Sequence, residues 1–309
     1  MRIERNKSCC DNRKIKITND GTEMCENCYE ISAYIRPDKK EKVVKQKTVV
    51  QVSTPSKIKF EEYNLKLNSI YKDDCVAGLK KIPSNSIDLI VTDPPYGMEF
   101  RSNKRKVKHD TIANDDNLDW LPSLLIELKR VSKNDSHSYI FCSWHNIEIF
   151  CKEIKLAGFN IKNLLVWEKS SVGMGDLEGD YSPSYEIVIY CSNGQKKLNG
   201  KRDSNIVTVR RTSNELHPTQ KPVNLIEYFI LKSSNIGDVV LDPFMGSGTT
   251  AVAAIKTERN FLGFEIHNKY HKESLQRIKD IKSEPDMFSD VTELKQKEKE
   301  FNSQIKINL

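Results

Sequence analysis

Apolar residues along this chain come in short runs that end on polar turns, and the runs alternate with stretches where apolar positions recur every three or four residues. The runs at 87–91, 138–141, 161–167, 186–190, 239–241 and 261–264 predict strands, with one more near 68–71. Helical spacing predicts helices near 76–81, 118–131, 145–157, 223–232 and 249–256, and another from about 268. In the second of these Trp120, Leu121, Leu124, Leu125 and Leu128 form one apolar stripe, and Gly158 ends the third. Alternation of this kind over residues 61–282 predicts an α/β fold built on a doubly wound, mostly parallel sheet.

Outside that span the pattern fades. Residues 1–36 contain Cys9, Cys10, Cys25 and Cys28, residues 37–60 read as a polar linker, and residues 283–309 form a charged tail rich in Lys and Glu. Cys25-Glu26-Asn27-Cys28 has the spacing that lets two thiolates reach one tetrahedral ion. Cys9 and Cys10 are adjacent, and adjacent side chains seldom converge. A small appendage holding one structural zinc through the four cysteines, and a loosely ordered tail of reduced thiols, both fit. Cys75, Cys142, Cys151 and Cys191 stand singly and read as buried small apolar groups in a reducing compartment.

The 309 residues suffice for one large core plus that appendage. No apolar run reaches membrane-spanning length and no hydrophobic segment follows the basic start, so a soluble, cytoplasmic protein is expected. A net charge of +6 is a mild bias whose distribution matters more than its sum. One Lys cluster at 39–47 belongs to the linker. A second contains Arg101, Lys104, Arg105, Lys106 and Lys108, and a third contains Lys196, Lys197, Lys201, Arg202, Arg210 and Arg211. Positive charge of this density suits a phosphate backbone.

Two strand ends carry the chemistry. Ile87-Asp88-Leu89-Ile90-Val91 runs into Thr92-Asp93-Pro94-Pro95-Tyr96, and Val239-Val240-Leu241 runs into Asp242-Pro243-Phe244-Met245-Gly246-Ser247-Gly248. Open α/β sheets place ligands at such ends. Gly246 and Gly248 allow a close backbone approach to a ligand, Thr249 opens a helix, and Glu265 follows Gly248 by 17 residues at the next strand end. That spacing suits an acid accepting hydrogen bonds from ribose hydroxyls, although a surface acid would read the same way. Between the two motifs lies His217-Pro218-Thr219-Gln220-Lys221-Pro222, which by itself also reads as a helix start bracketed by prolines.

Asp-Pro-Pro-Tyr, the His-Pro-Thr segment and the Phe-x-Gly-x-Gly loop together resemble the amino-methyltransferases of DNA that act on adenine N6 or cytosine N4, over roughly residues 64 to 282. The catalytic tetrapeptide precedes the glycine loop by about 150 residues, an order that resembles the beta group of that family, with its permuted motifs. The resemblance implies a Rossmann-like methyltransferase fold that binds S-adenosylmethionine. It implies Asp93, Pro94, Pro95 and Tyr96 as catalytic. Asp93 and the Pro94 carbonyl would accept the two hydrogens of the target amine, and Tyr96 would stack on a base flipped out of double-stranded DNA. Asp74, His217, Thr219, Lys221, Asp242, Phe244, Gly246, Ser247, Gly248 and Glu265 are implied as cofactor contacts, Lys221 among those near the methionine end. Asp73 departs from the family's usual Gly before the acid at 74, which leaves that turn open.

Arg101, Lys104, Arg105, Lys106, Lys201 and Arg202 are expected to meet DNA. The interval 191–216, where the family carries its target-recognition insert, is short and implies a short recognition sequence. Trp167, Tyr181 and Tyr185 could stack on bases or fill the core. Asp rather than Ser at the head of the tetrapeptide favours adenine N6, with cytosine N4 as the alternative and RNA as a further substrate class. A role in restriction-modification follows from the resemblance. A zinc-ribbon nucleic-acid-binding regulator with an inactive methylase scaffold is the contrasting reading, which intact Asp93, Pro94, Tyr96, Gly246 and Glu265 oppose. A homodimer and a prophage or viral origin are left open.

Overall fold

The computed structural model describes residues 59–97, 117–170, 179, 181–210 and 220–283, with the backbone of 15–17 and 23–25. The chain divides into two units, residues 1–56 and 57–309. In the first, β1 (Ile15–Ile17) and β2 (Glu23–Cys25) pair antiparallel, with Cys25 opposite Ile15. Cys9, Cys10 and Cys28, most of the linker, Arg101, Lys104, Arg105, Lys106, His217, Thr219 and the tail after 283 lie outside the described residues. Among the described residues no group of acids, cysteines and histidines is placed to hold a metal, and no helix is long and apolar enough to cross a membrane.

The second unit runs β3 (Ser69–Tyr71), α1 (Cys75–Leu79), β4 (Ile87–Thr92), α2 (Leu121–Val131), β5 (Ser132–Cys142), α3 (Ile147–Leu156), β6 (Asn160–Glu168) and β7 (Tyr185–Asn193). It continues with β8 (Ile206–Thr208), α4 (Val223–Ser233), β9 (Val239–Asp242), α5 (Thr249–Lys256), β10 (Asn260–Phe264) and α6 (Asn268–Ser283). The strands form one sheet in the order β3-β10-β9-β4-β5-β7-β6-β8. Every neighbouring pair is parallel except those of β7, which runs against β5 and β6. The expected doubly wound, mostly parallel sheet is present.

Chain order reverses between β4 and β9: the strand after β4 joins on one side, and the strand after β9 joins on the other. The loops leaving these two central strands therefore diverge and open a crevice at the carboxyl edge, where such sheets bind ligands. One residue class departs from that rule. Because β7 is reversed, its first residues, Tyr185 and Glu186, lie at the same edge as the last residues of β5, with Cys142 opposite Ile187.

Strand residues alternate between two cores. Ile87, Ile90, Leu241 and Leu262 face α1, α2 and α3, while Leu89, Val91, Val240 and Phe261 face α4, α5 and α6. In α2 the expected stripe is buried at Leu121, Leu124, Leu125 and Leu128, and Trp120 packs partly buried beside it. The helix begins at Leu121 rather than 118, with Pro122 in its first turn where a missing N–H costs nothing. Three-residue β8 inside the 191–216 interval was too short to stand out in the pattern. Phe60 is buried, so packing begins within the expected linker range.

Arg130 closes the far end of α1: its guanidinium donates to the carbonyls of Leu79 and Ile82 at 2.8 Å each and pairs with Glu127. The Leu79 carbonyl also accepts from the Ile82 N–H at 2.9 Å, and the charge-assisted bonds add to it where the helix ends. Arg130→Ala should destabilise the folded domain by about 2 kcal/mol. Denaturant unfolding checks this, and a midpoint shift with an unchanged m value is the expected form.

Candidate active site

Just past the end of β4, Asp93 and Tyr96 are half-buried and Pro94 between them is buried. The Tyr96 hydroxyl donates to Asp93 Oδ1 at 2.5 Å, closing a small loop around the two prolines. Two fixed φ angles and this bond hold the turn in one shape. Asn146, just before α3, donates its side-chain amide to the Tyr96 carbonyl at 2.5 Å and ties the turn to the neighbouring strand end.

Lys221 lies in the segment leading into α4, and its Nζ sits 2.6 Å from Asp93 Oδ2 and 3.1 Å from Glu186 Oε2. Lys169 at the end of β6 reaches the other oxygen of Glu186 at 2.8 Å. The Lys221 ammonium also lies 5.0 Å from the centre of the Phe141 ring and 5.9 Å from that of Tyr96. Glu186 was not singled out from the sequence, where it appears only as an acid at a strand start. Its partner Lys221, expected near the methionine end of a cofactor, is placed against Asp93.

The Asp242–Gly248 loop occupies the other half of the crevice. Asp242 is buried with both oxygens engaged: Oδ1 accepts from the Phe244 N–H at 3.0 Å and Oδ2 from the Thr250 hydroxyl at 2.6 Å. Gly246 and Gly248 both take positive φ, 54° and 84°. A Cβ on Gly248 would come within 3.0 Å of Ser274, whereas one on Gly246 would meet nothing closer than 4.0 Å. Gly248 is thus needed for packing, and Gly246 presents bare backbone to open space. Ser247 is buried, its carbonyl accepting from Arg277 at 3.1 Å. Phe244 is held by the Trp120 ring at a centroid distance of 5.5 Å.

Glu265 follows β10 and accepts from the N–H of Gly246 at 2.8 Å and of His267 at 2.7 Å. Burial nevertheless holds its carboxyl above the ordinary glutamate range, with those two backbone bonds opposing the shift. The Glu265 N–H donates to the Tyr71 carbonyl, which draws the end of β3 alongside. Asp74, three residues past Tyr71, caps α1 by accepting from the Ala77 N–H at 2.9 Å. Asp73 settles the turn left open in the sequence: its side chain accepts from the Asp74 N–H and pairs with Lys81. Asp74, Gly246 and Glu265 are therefore gathered at one edge of the sheet, on the β9–β10–β3 side.

The third basic cluster splits. Asn199 bonds to the Lys232 N-terminal neighbour Leu231 and to Ser234 through its side chain, and Lys232 donates to the Lys201 carbonyl and pairs with Asp203. Lys201 and Arg202 thus sit at the last turn of α4, a helix length or about 16 Å from the end that carries Lys221. They do not line the crevice. Exposed Arg210 does approach that edge, because β8 runs parallel to β6 and the Val209 N–H and carbonyl bond to Glu168 and Trp167. Trp167 is core at 2% exposure, while Tyr181 and Tyr185 are exposed.

Residues 87–276 match the family model described as DNA methylase. The DNA adenine methyltransferase YhdJ of Escherichia coli (strain K12) is 33% identical across 68% of this chain and 82% of its own length. The type II methyltransferase M.HinfI of Haemophilus influenzae is 30% identical across 73% and 72%. Among solved structures, the M1.HpyAVI complex with S-adenosylmethionine superposes with a TM-score of 0.54 at 26% identity, covering 68% of this chain and 98% of that one.

Burial pushes the Asp242 carboxyl up to about 7, against opposing bonds from Thr250 and Phe244. An acid raised in the folded state binds its proton more tightly there, so its penalty on stability is absent below pH ~4, grows as pH rises, and is complete above pH ~7. Asp242→Asn removes this dependence. Chemical denaturation of both proteins should show the variant gaining on the original between these limits and a constant difference outside them. A difference that does not change with pH would place the titration elsewhere.

Proposed function

The chain belongs to the DNA methylase family, and from that premise we propose that it is an S-adenosylmethionine-dependent DNA methyltransferase acting on the N6 amine of adenine. The observation that carries the reading is the placement of Asp93, paired and rigidly turned, directly across the β4–β9 crevice from the Gly246 loop. Asp at the head of the tetrapeptide and the adenine specificity of YhdJ support adenine over cytosine.

The residues present fit the cofactor. Gly246 leaves a space that a Cβ would fill, and each Glu265 oxygen has given one lone pair to a backbone N–H and keeps another for a ribose hydroxyl. Asp74 stands at the adjoining edge for the far end of the nucleoside. When bound, S-adenosylmethionine supplies a methyl group on a sulfonium, a leaving group that needs no metal or strong base to depart.

The difficulty lies with the target amine, whose lone pair is delocalised into the base. Asp93 Oδ1 accepts one amine hydrogen and the Pro94 carbonyl the other, drawing the nitrogen toward sp3 geometry so that its lone pair points along the attack line. As the N–C bond forms, the proton that the amine sheds passes to Asp93 Oδ1. The Tyr96 hydroxyl occupies that oxygen beforehand and yields it to the substrate, while its ring stacks on the flipped base. Arg210, at the rim, takes a DNA phosphate in preference to Lys201 and Arg202 at the opposite end.

Incubating the protein with DNA and methyl-labelled cofactor, then digesting to nucleosides for mass spectrometry, tests the reading. Label in N6-methyldeoxyadenosine is expected; label in N4-methyldeoxycytidine would move the assignment to cytosine, and label in neither would reject the function. Arg210→Gln should lower the slope of log affinity for DNA against log salt by about 0.9, one released counterion. The double change Lys201→Gln and Arg202→Gln should leave that slope alone, and binding isotherms at several salt concentrations decide between them.

A further inference from the structure

Charges alternate along one line in the crevice: Lys169 at the end of β6, Glu186 on β7, Lys221 before α4 and Asp93 after β4. Lys221 is 8% exposed at its side chain, too enclosed to reach a DNA phosphate, and a buried ammonium persists only where paired charges offset its lost hydration. Glu186 supplies the second pairing and Lys169 balances Glu186. Resting on the methyltransferase reading, we propose that Lys221, anchored by Glu186 and Lys169, is a positioning residue that keeps Asp93 ionised and turns its Oδ1 toward the target amine.

The geometry divides the carboxylate. Lys221 holds Oδ2 on one side of the carboxylate, and Oδ1 carries the Tyr96 hydroxyl that the substrate amine would replace. A protonated Asp93 would present a hydroxyl where an acceptor is needed. The groups facing it are Lys221 before α4, Glu186 on β7, Tyr96 in its own turn, and Asp242 and Cys142 at the ends of β9 and β5. Burial, with a smaller push from Glu186, holds the Asp93 carboxyl above the ordinary aspartate range, and Lys221 and the Tyr96 hydroxyl limit the rise. Lys221 acts more strongly than Glu186, and its own ammonium is held charged by the two carboxylates.

Infrared difference spectroscopy of the cofactor-free protein, with an Asp93→Asn spectrum subtracted, reads the protonated carboxyl of Asp93 across a pH series. Lys221→Met should move its midpoint up by about one pH unit or more, Lys221→Arg should restore it, and Glu186→Gln should not move it upward. If Lys221→Met fails to fold, the double change Lys221→Met with Glu186→Gln removes the unpaired acid and should still move the midpoint up. In turnover, the acid limb of the kcat profile should move with the infrared midpoint, while calorimetric affinity for S-adenosylmethionine stays the same. An unmoved midpoint in a folded Lys221 variant overturns the proposal, as does equal upward movement in Glu186→Gln. The infrared reading needs no methyl transfer, so a protein that makes no methylated base would reject the enzymatic reading without affecting this test.

Discussion

A lysine ammonium held out of water between two carboxylates constrains everything around it. Lys221 is stable there only if Asp93 and Glu186 arrive together, and they come from strands separated in the sheet by β5. A wholly parallel sheet would send the first residues of β7 to the opposite edge. Reversal of that one strand brings Glu186 to the carboxyl edge, and Lys169 then reaches it from the end of adjoining β6. The antiparallel strand is therefore part of the site's electrostatics as well as of its architecture.

The crevice has two halves with different physical demands. On the β9–β10–β3 side, backbone is exposed: Gly246 is bare, Glu265 holds the loop through the Gly246 N–H, and Asp242 accepts one bond on each oxygen to shape the turn. That half suits a nucleoside gripped by shape and ribose hydrogen bonds. On the β4–β7 side, side-chain charge is concentrated and paired, as positioning an amine requires. Asp242 belongs to the first half by sequence and to the core by contact, so a cofactor role for it would run through the loop it supports.

Most strands and helices were legible because apolar spacing of two and of three to four residues is a direct record of burial on one face. Leu121, Leu124, Leu125 and Leu128 show it, as do the ends of β4 and β9. Strand direction leaves no such record, so nothing in Tyr185–Asn193 announced its reversal or the importance of Glu186. Lys221 was visible as a motif residue, but its partners are 128 and 35 positions away and only the folded sheet brings them together. The basic segment at 196–211 looked uniform as sequence. Asn199 and Asp203, which nothing in the sequence singled out, are what bind its first part to the far end of α4 and leave Arg210 at the rim.

The account stands on Asp93 acting on the target amine while the glycine loop and Glu265 hold the cofactor. Single-turnover methylation by Asp93→Ala, measured alongside calorimetric binding of S-adenosylmethionine, separates the two halves directly. The predicted result is a rate lower by a factor of about 10² or more, the scale of losing one preorganised transition-state contact, with cofactor affinity unchanged. A variant that keeps its rate, or a folded one that loses rate and cofactor binding together, would contradict it.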